Sequence, residues 1–359
     1  SLDDAFGNPS SVHAAGRRAR EALEDARDRI ATAIGASPAE IVFTGGGTEA
    51  DNLALKGVAA KLRGNGDHLV VSAIEHHAVL DAAQWLGRQG FEVTVVPVDA
   101  AGVVDPARVA AAVRPSTILV SIMAVNNEIG TITDVSDVVA TVKSANPSTL
   151  VHTDAVQALG NIPVDLHAWG VDLAAFAAHK LGGPKGVGAL FVRSQVPVEP
   201  VIHGGGQERG LRSGTPNVAG IAGFGVAAEI AAKEVGEKAE RLGPMRDRLL
   251  EGIRSAIPDV VVNGGLDRRV AANLNVCIPG TDGETLLLLL DQLGIACSSG
   301  SACSSGALDP SHVLLAIGVP KELAKGSLRF SLGRASTDAD IDAVLAALPE
   351  VVERARKVA

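Results

Sequence analysis

The sequence predicts an α/β protein: a mostly parallel, seven-stranded sheet with helices on both faces, followed by a smaller α+β C-terminal domain. Three observations carry this expectation. From about residue 41 to about residue 194, short and nearly continuous apolar runs alternate with amphipathic segments; strands buried on both faces read this way, and the segments between them supply the crossover helices. Helical sequence then dominates 217 to 256, after which shorter strands mix with helices to the end. The chain has 359 residues, 47% hydrophobic and 20% charged, which is a globular balance and long enough for two domains.

Taken in order, the expected strands are IVFTG (41–45), HLVVSAI (68–74), FEVTVVPV (91–98), TILVSIMAV (117–125), TLVHTDAV (149–156), VDLAAFAAH (171–179) and GALFVRS (188–194). Between them TEADNLALKGVAAKLRG, HAVLDAAQWLGRQG, DPARVAAAVR and DVSDVVATVKSAN carry helix start and stop residues. A long helix is expected over 217–241, with the domain boundary near it: 1–230 a large domain, 231–359 a small one. In the latter, DVVVNGG, ANLNVCI and SLRFSLG read as strands.

The charge balance is 32 Lys and Arg against 41 Asp and Glu, a net −9 that disfavours non-specific nucleic-acid binding. Apolar stretches such as TLLLLL (285–290) are too short to span a bilayer. The start, SLDDAFGNPSS, does not read as a signal peptide. Three cysteines in a long chain argue against a disulfide framework and for a reducing, cytoplasmic location.

In parallel α/β sheets, ligands bind beyond the carboxyl ends of the strands, so the residues just past each strand carry the most information. The first strand leads into Gly45, Gly46, Gly47 and Thr48 at a helix start, where backbone N–H groups and the helix dipole suit a phosphate. A tight turn is the plainer reading of these glycines alone, and the dinucleotide pattern G-x-G-x-x-G is not met. The later strand ends bring Glu75-His76-His77, then Asn126-Asn127-Glu128, then Asp154 with Gln157, then His179-Lys180. Each taken singly reads as a cap or turn residue. Together they place a phosphate cradle, an imidazole, an amide, a carboxylate and a lysine along one crevice, which is the equipment for pyridoxal phosphate. Lys180 stands at the strand end and is the candidate for a Schiff base; Lys185 sits within the turn GGPKG.

These blocks also resemble the class V aminotransferases, and within them the cysteine desulfurases, over essentially the whole chain. The resemblance is carried by FGNPSSVH (6–13), TGGGTEADNLA (44–54), EHHAVLD (75–81), NNEIGT (126–131) and HTDAVQALG (152–160). It continues in AHKLGGPKGVGAL (178–190), HGGGQERGLRSGT (203–215), SSGSACSSG (298–306) and SLRFSLGR (327–334). It implies the fold type I of pyridoxal-phosphate transferases, a homodimer, and removal of sulfur from L-cysteine to leave L-alanine. It implies Lys180 as the Schiff-base lysine and Asp154 as partner of the pyridine nitrogen. Gln157 and Asn127 match residues that contact the ring hydroxyl, Asn127 also facing the substrate carboxylate. His76 matches the imidazole stacked on the ring. Gly47, Thr48 and His179 match phosphate ligands, with Thr215 the one lent to the other subunit. Arg329 matches the substrate-carboxylate arginine, and Arg334 is the alternative. Two departures stand out. Where many relatives carry a phosphate-contacting serine this chain has Ala177, a loss of about 0.5–1.5 kcal/mol of hydrogen bonding. An opening strand with an Ala-Thr-Thr turn precedes FGNPSS in the family, and the numbered chain begins just before that block.

The cysteines divide. Cys277, in an alternating strand, reads as a buried small hydrophobe. Cys297 and Cys303 lack the further ligands a structural zinc site needs, so no metal of the chain's own is expected. Cys297, after LLLLLDQLGIA, reads as a strand-end core residue. Cys303, among serines and glycines, has the freedom a nucleophilic thiolate needs, and the resemblance makes it the sulfur carrier. Its persulfide would pass to an iron–sulfur scaffold or a tRNA-thiolation acceptor. A selenocysteine lyase, an aminotransferase or an inactive docking scaffold remain open as alternatives.

Overall fold

The structure is a computed structural model, and it describes residues 6–299 and 310–358. The chain divides into two compact units: residues 1–96, 105–125 and 134–235 form the first, and 97–104, 126–133 and 236–359 the second. The division is therefore discontinuous, with two short excursions from the first half of the chain counted in the second unit.

The first unit contains α1 (Ala14–Ala33), β1 (Ile41–Thr44), α2 (Gly47–Leu62), β2 (His68–Ser72), α3 (His77–Arg88) and β3 (Glu92–Val96). Next come α4 (Pro106–Ala112), β4 (Thr117–Ser121), α5 (Val135–Ala145), β5 (Leu150–Asp154), α6 (Leu166–Trp169), β6 (Leu173–Ala177), β7 (Gly188–Val192) and α7 (Val218–Lys233). The seven strands form one sheet in the order β1-β7-β6-β5-β4-β2-β3. All pairings are parallel except those of β7, which runs antiparallel to both β1 and β6. Every residue of β2, β4, β6 and β7 is buried. Since alternate residues point to opposite faces, both faces of the sheet are covered. All seven strands fall where the apolar runs placed them.

The second unit contains α8 (Val235–Ala256), β8 (Val261–Val262), β9 (Asn273–Cys277), α9 (Gly283–Asp291), α10 (His312–Ala316), α11 (Lys321–Lys325), β10 (Ser327–Ser331) and α12 (Asp338–Arg356). Its sheet is antiparallel, in the order β10-β9-β8. Leu242, Leu249, Ile253, Leu274, Val276, Leu286, Leu328 and Leu348 lie in its core.

The structure corrects two sequence expectations. The helix expected over 217–241 is two helices, with α7 capped at Glu234. The two serve different cores: α7 packs its small residues on α1, where a Cβ on Gly225 would fall 2.7 Å from Ala26 Cα, while Leu242 and Leu249 of α8 join the second unit's core. The stretch LLLLLDQLGIA does not lead into a strand-end cysteine. Asp282 accepts from Thr285 N at 3.0 Å and starts α9, whose Leu286 and Leu290 are buried one turn apart, and Cys297 comes after it in irregular chain.

The close approach of β7 to the turn after β1 positions the site. A Cβ on Gly188 would stand 2.5 Å from the Gly46 carbonyl carbon and 2.6 Å from Phe176 O, so no side chain fits. Gly188→Ala is expected to destabilise by about 1–3 kcal/mol through overpacking. Denaturant unfolding should show a lower midpoint with an unchanged slope.

Candidate active site at the strand ends

The turn after β1 is built to leave backbone amides pointing outward. Gly46 has φ +153°, which L side chains rarely adopt, and a Cβ on Gly47 would press Val156 Cγ2 at 2.7 Å. α2 opens at Gly47 with Gly46 as its cap, so no side chain satisfies the first-turn N–H groups, and exposed Thr48 stands beside them. An anion is the natural partner for such an end. The turn is braced by Glu49, which accepts from Gly45 N at 2.9 Å and pairs with Arg212 at 2.8 Å. Arg212 belongs to HGGGQERGLRSGT, whose Gln207 Oε1 accepts from Gly214 N beside Thr215. Thr215 itself is exposed. Ala177 ends β6 with its Cβ 3.5 Å from where a Gly47 Cβ would lie, so the residue lacking a hydroxyl lines this turn.

Asp154 ends β5, 5% exposed, accepting from Val156 N at 2.9 Å. Burial raises its pKa to about 6, against the opposing pull of that hydrogen bond and of Lys180. Lys180 lies on the helical turn Ala178–Leu181 directly after β6, exposed, and Gly182 at φ +80° ends that turn. His179 beside it is also exposed, its pKa lowered by burial and by Lys180 and Lys185. His76 caps α3: its Nδ1 accepts from Ala78 N at 3.0 Å, so the proton of the neutral ring is on Nε2. Burial first, then His77 and Lys180, lower its pKa, and it is neutral at pH 7. Gln157 is half-buried in the turn after β5. The first unit thus gathers the glycine turn, His76, Asp154 and Lys180.

Sequence reasoning missed the groups behind Asp154. Asp51, one turn into α2, is fully buried; its Oδ1 stands 3.5 Å from His152 Nε2, and neither atom has a hydrogen-bond partner. His152 Nδ1 lies 2.8 Å from Ser121 Oγ. Asp51, His76 and Asp154 each present an atom within 4.8 Å of the others. Two ionised carboxylates so spaced repel by at least about 3 kcal/mol at an effective dielectric of about 20. Burial, then Asp154 and Glu75, accordingly raise the Asp51 pKa well above the carboxylate range. Burial lowers that of His152 to about 3. Strand alternation was the available signal: His152 shares a sheet face with Asp154, two residues on. Glu75 is also buried, accepting from Ser72 Oγ at 2.5 Å and Met123 N at 2.8 Å, and burial raises it to about 8.

In the second unit, Arg329 of β10 donates from Nη1 to Asn127 O at 3.1 Å, joining two predicted residues. Arg329 Nε and Asn127 Oδ1 are buried and, among the described residues, have no hydrogen-bond partner. Arg334 lies exposed beyond the strand. Glu128 is buried, accepts from Ser311 Oγ, and is raised by burial to about 7, opposed by Ser311 and Arg329. Ser298 pairs with Arg329 through both backbone groups. Cys297 is half-buried beside it, and burial pushes its thiol up to about 11. Cys277 is fully buried, with its thiol also at about 11 through burial. Cys303 lies outside the described residues.

The class V aminotransferase family model matches residues 2–344. The chain belongs to the class V aminotransferases. It is 48% identical over 99% of its length to a cysteine desulfurase IscS of Dictyoglomus turgidum, covering 90% of that protein. Another, from Methanosarcina thermophila, is 48% identical, with 99% and 88% covered. A solved NifS-like protein superposes with a TM-score of 0.92 at 42% identity, over 98% of this chain and 93% of that one. Within the family the chain falls among the cysteine desulfurases, as the ordered blocks implied.

Two measurements check this electrostatic picture. The folded state holds a proton on Glu75 up to about pH 8, whereas the ordinary value is 4.5. Stability is therefore lost as pH rises through that window. Glu75→Gln should leave stability near wild type at pH 4 and exceed it increasingly up to about pH 8, levelling off above that, in denaturant melts. Native alkylation with iodoacetamide at pH 8, read by peptide mass mapping, should spare Cys277 and Cys297.

Proposed function

We propose that the strand ends of the first unit hold pyridoxal 5'-phosphate and that the enzyme uses it to take sulfur from L-cysteine. The buried carboxylate of Asp154 carries this reading. A fully buried acid at a strand end calls for a cationic group beside it, and a protonated ring nitrogen meets that need. The uncapped start of α2, with Gly47 and Thr48, suits the phosphate, His179 serving as a further ligand. Lys180 is assigned the aldehyde, and the neutral ring of His76 the ring face. Gln157 and Asn127 are assigned the ring hydroxyl. When bound, the cofactor supplies an electron sink for the bonds at the substrate α-carbon.

The protein's own groups divide the remaining work. Arg329 binds the substrate carboxylate, a planar guanidinium fitting that task in bidentate fashion, with Asn127 beside it. Lys180 removes and returns protons at the substrate carbons. His76, whose Nδ1 is occupied by Ala78 N–H, donates a hydrogen bond from Nε2 to the substrate sulfur, and the Cys303 thiol gives up its own proton to solvent. Cys303 as thiolate attacks the substrate sulfur: the Cys303 Sγ–S bond forms, the substrate Cβ–S bond breaks, and the carbon fragment takes up a proton and leaves as L-alanine. The raised thiols of Cys277 and Cys297 favour Cys303 for this role, since the thiolate is the attacking form. In this reading residues 1–230 hold the cofactor, and 231–359 carry the cysteine loop. The persulfide passes to an iron–sulfur scaffold protein or another sulfur acceptor in the cytoplasm. The active form is a homodimer in which Thr215 of the partner subunit completes the phosphate site. Among the described residues no helix is long and apolar enough to cross a membrane.

The test is L-cysteine turnover with a reductant. Wild type should yield alanine and sulfide in equal amounts, and Cys303→Ser should lose both while keeping the cofactor's absorbance band. A Cys303→Ser variant still forming alanine would favour a selenocysteine lyase, and conversion of L-cysteine to its α-keto acid with the C–S bond intact would favour an aminotransferase. A wild-type protein forming neither product would favour a docking scaffold.

A further inference from the structure

Behind Asp154 lies a chain of buried polar groups to which the proposed reaction assigns no part. It runs from Asp51 on α2, through His152 on β5, to Ser121 on β4. Asp51 sits four residues after Gly47, one turn down the helix whose first turn forms the phosphate cradle. His152 sits two residues before Asp154 on the strand that supplies the ring-nitrogen partner. Asp51 Oδ1 and His152 Nε2 face each other at 3.5 Å, both fully buried and both without a hydrogen bond. Each is the nearest answer to the other's missing partner.

We propose that Asp51 is a positioning residue: it stays protonated and donates to His152 Nε2, tying α2 to β5. The phosphate anchor and the ring-nitrogen anchor are thereby held at a fixed separation, with Asp154 the single anion facing the ring. The inference rests on the pyridoxal-phosphate reading of the site. Ser121 Oγ, 2.8 Å from Nδ1, is able to accept, so the proposal puts the His152 proton on Nδ1 and leaves Nε2 to accept. Burial acts in the same direction on both partners, keeping the acid and the imidazole uncharged. An ionised Asp51 would instead set a second negative charge within 4.8 Å of Asp154, beside Glu75, His76 and Lys180. A neutral donor serves where a charge would not, so asparagine should replace Asp51 and leucine should not.

The test uses the full chain, apo and reconstituted with pyridoxal phosphate labelled with 15N in its ring. Wild type and Asp51→Asn should bind the cofactor with affinities within about twofold of each other. Both should show the pyridine 15N resonance at its protonated position. Asp51→Leu should bind at least about tenfold more weakly and shift that resonance toward the neutral position. Independently of any variant's folding, the His152 ring nitrogens of the apo protein should report a neutral ring protonated at Nδ1 that does not titrate between about pH 5 and 9. The inference is overturned if Asp51→Leu matches wild type in affinity and 15N shift, if Asp51→Asn weakens binding tenfold, or if His152 titrates as a cation. If wild-type protein fails to bind pyridoxal phosphate at all, it is the cofactor reading that falls.

Discussion

A carboxylate buried at the carboxyl end of a parallel strand is the constraint around which the site is arranged. Asp154 is nearly inaccessible to water, accepts a backbone hydrogen bond, and remains raised only to about pH 6. Holding an acid there is unfavourable unless something cationic comes to it. The surroundings keep other charges low: Asp51, Glu75 and His152 are all pushed by burial toward their neutral forms. Lys180, one strand over, is the cation the chain itself supplies to the field at Asp154. The parallel order of β4, β5 and β6 brings the relevant strand ends to one edge of the sheet.

The same logic applies to the glycine turn after β1. Nothing in Gly45-Gly46-Gly47 binds anything by its side chains. Its contribution is a backbone that L residues rarely adopt at Gly46 and an absence of bulk at Gly47 and Gly188 that lets three segments meet. Glu49 and Arg212 then fix the turn to the loop that carries Thr215. In the second unit a comparable economy joins Arg329 to the carbonyl of Asn127, with Nε of the guanidinium buried and, among the described residues, unpaired.

Much of this was legible in the sequence, because the strands are continuous apolar runs and each chemical residue stands just past one of them. His76, Asp154 and Lys180 are picked out simply by reading to the strand ends, and the structure sets each of them at or just past one. Polar residues inside apolar elements escaped. Asp51 lies within a helix that otherwise buries alanine, leucine and valine, and its pairing with His152 crosses from helix to sheet. Such contacts depend on three-dimensional packing and leave no local pattern. The helix break at Glu234 escaped for a related reason, since both flanking segments are helical and only their partners differ. Cys297 packs against the second unit's core as expected but not at a strand end, because five consecutive leucines fit a strand or a buried helix equally well and the Asp282 cap starts a helix.

The proposal with the most consequences is that Lys180, whose charge acts on Asp154, joins the cofactor covalently. Reduction of the pyridoxal-phosphate-loaded protein with borohydride, combined with peptide mapping, tests it most directly. A single phosphopyridoxyl group on Lys180 is expected. A label on Lys185, or cofactor released unattached from a protein that had bound it, would contradict it.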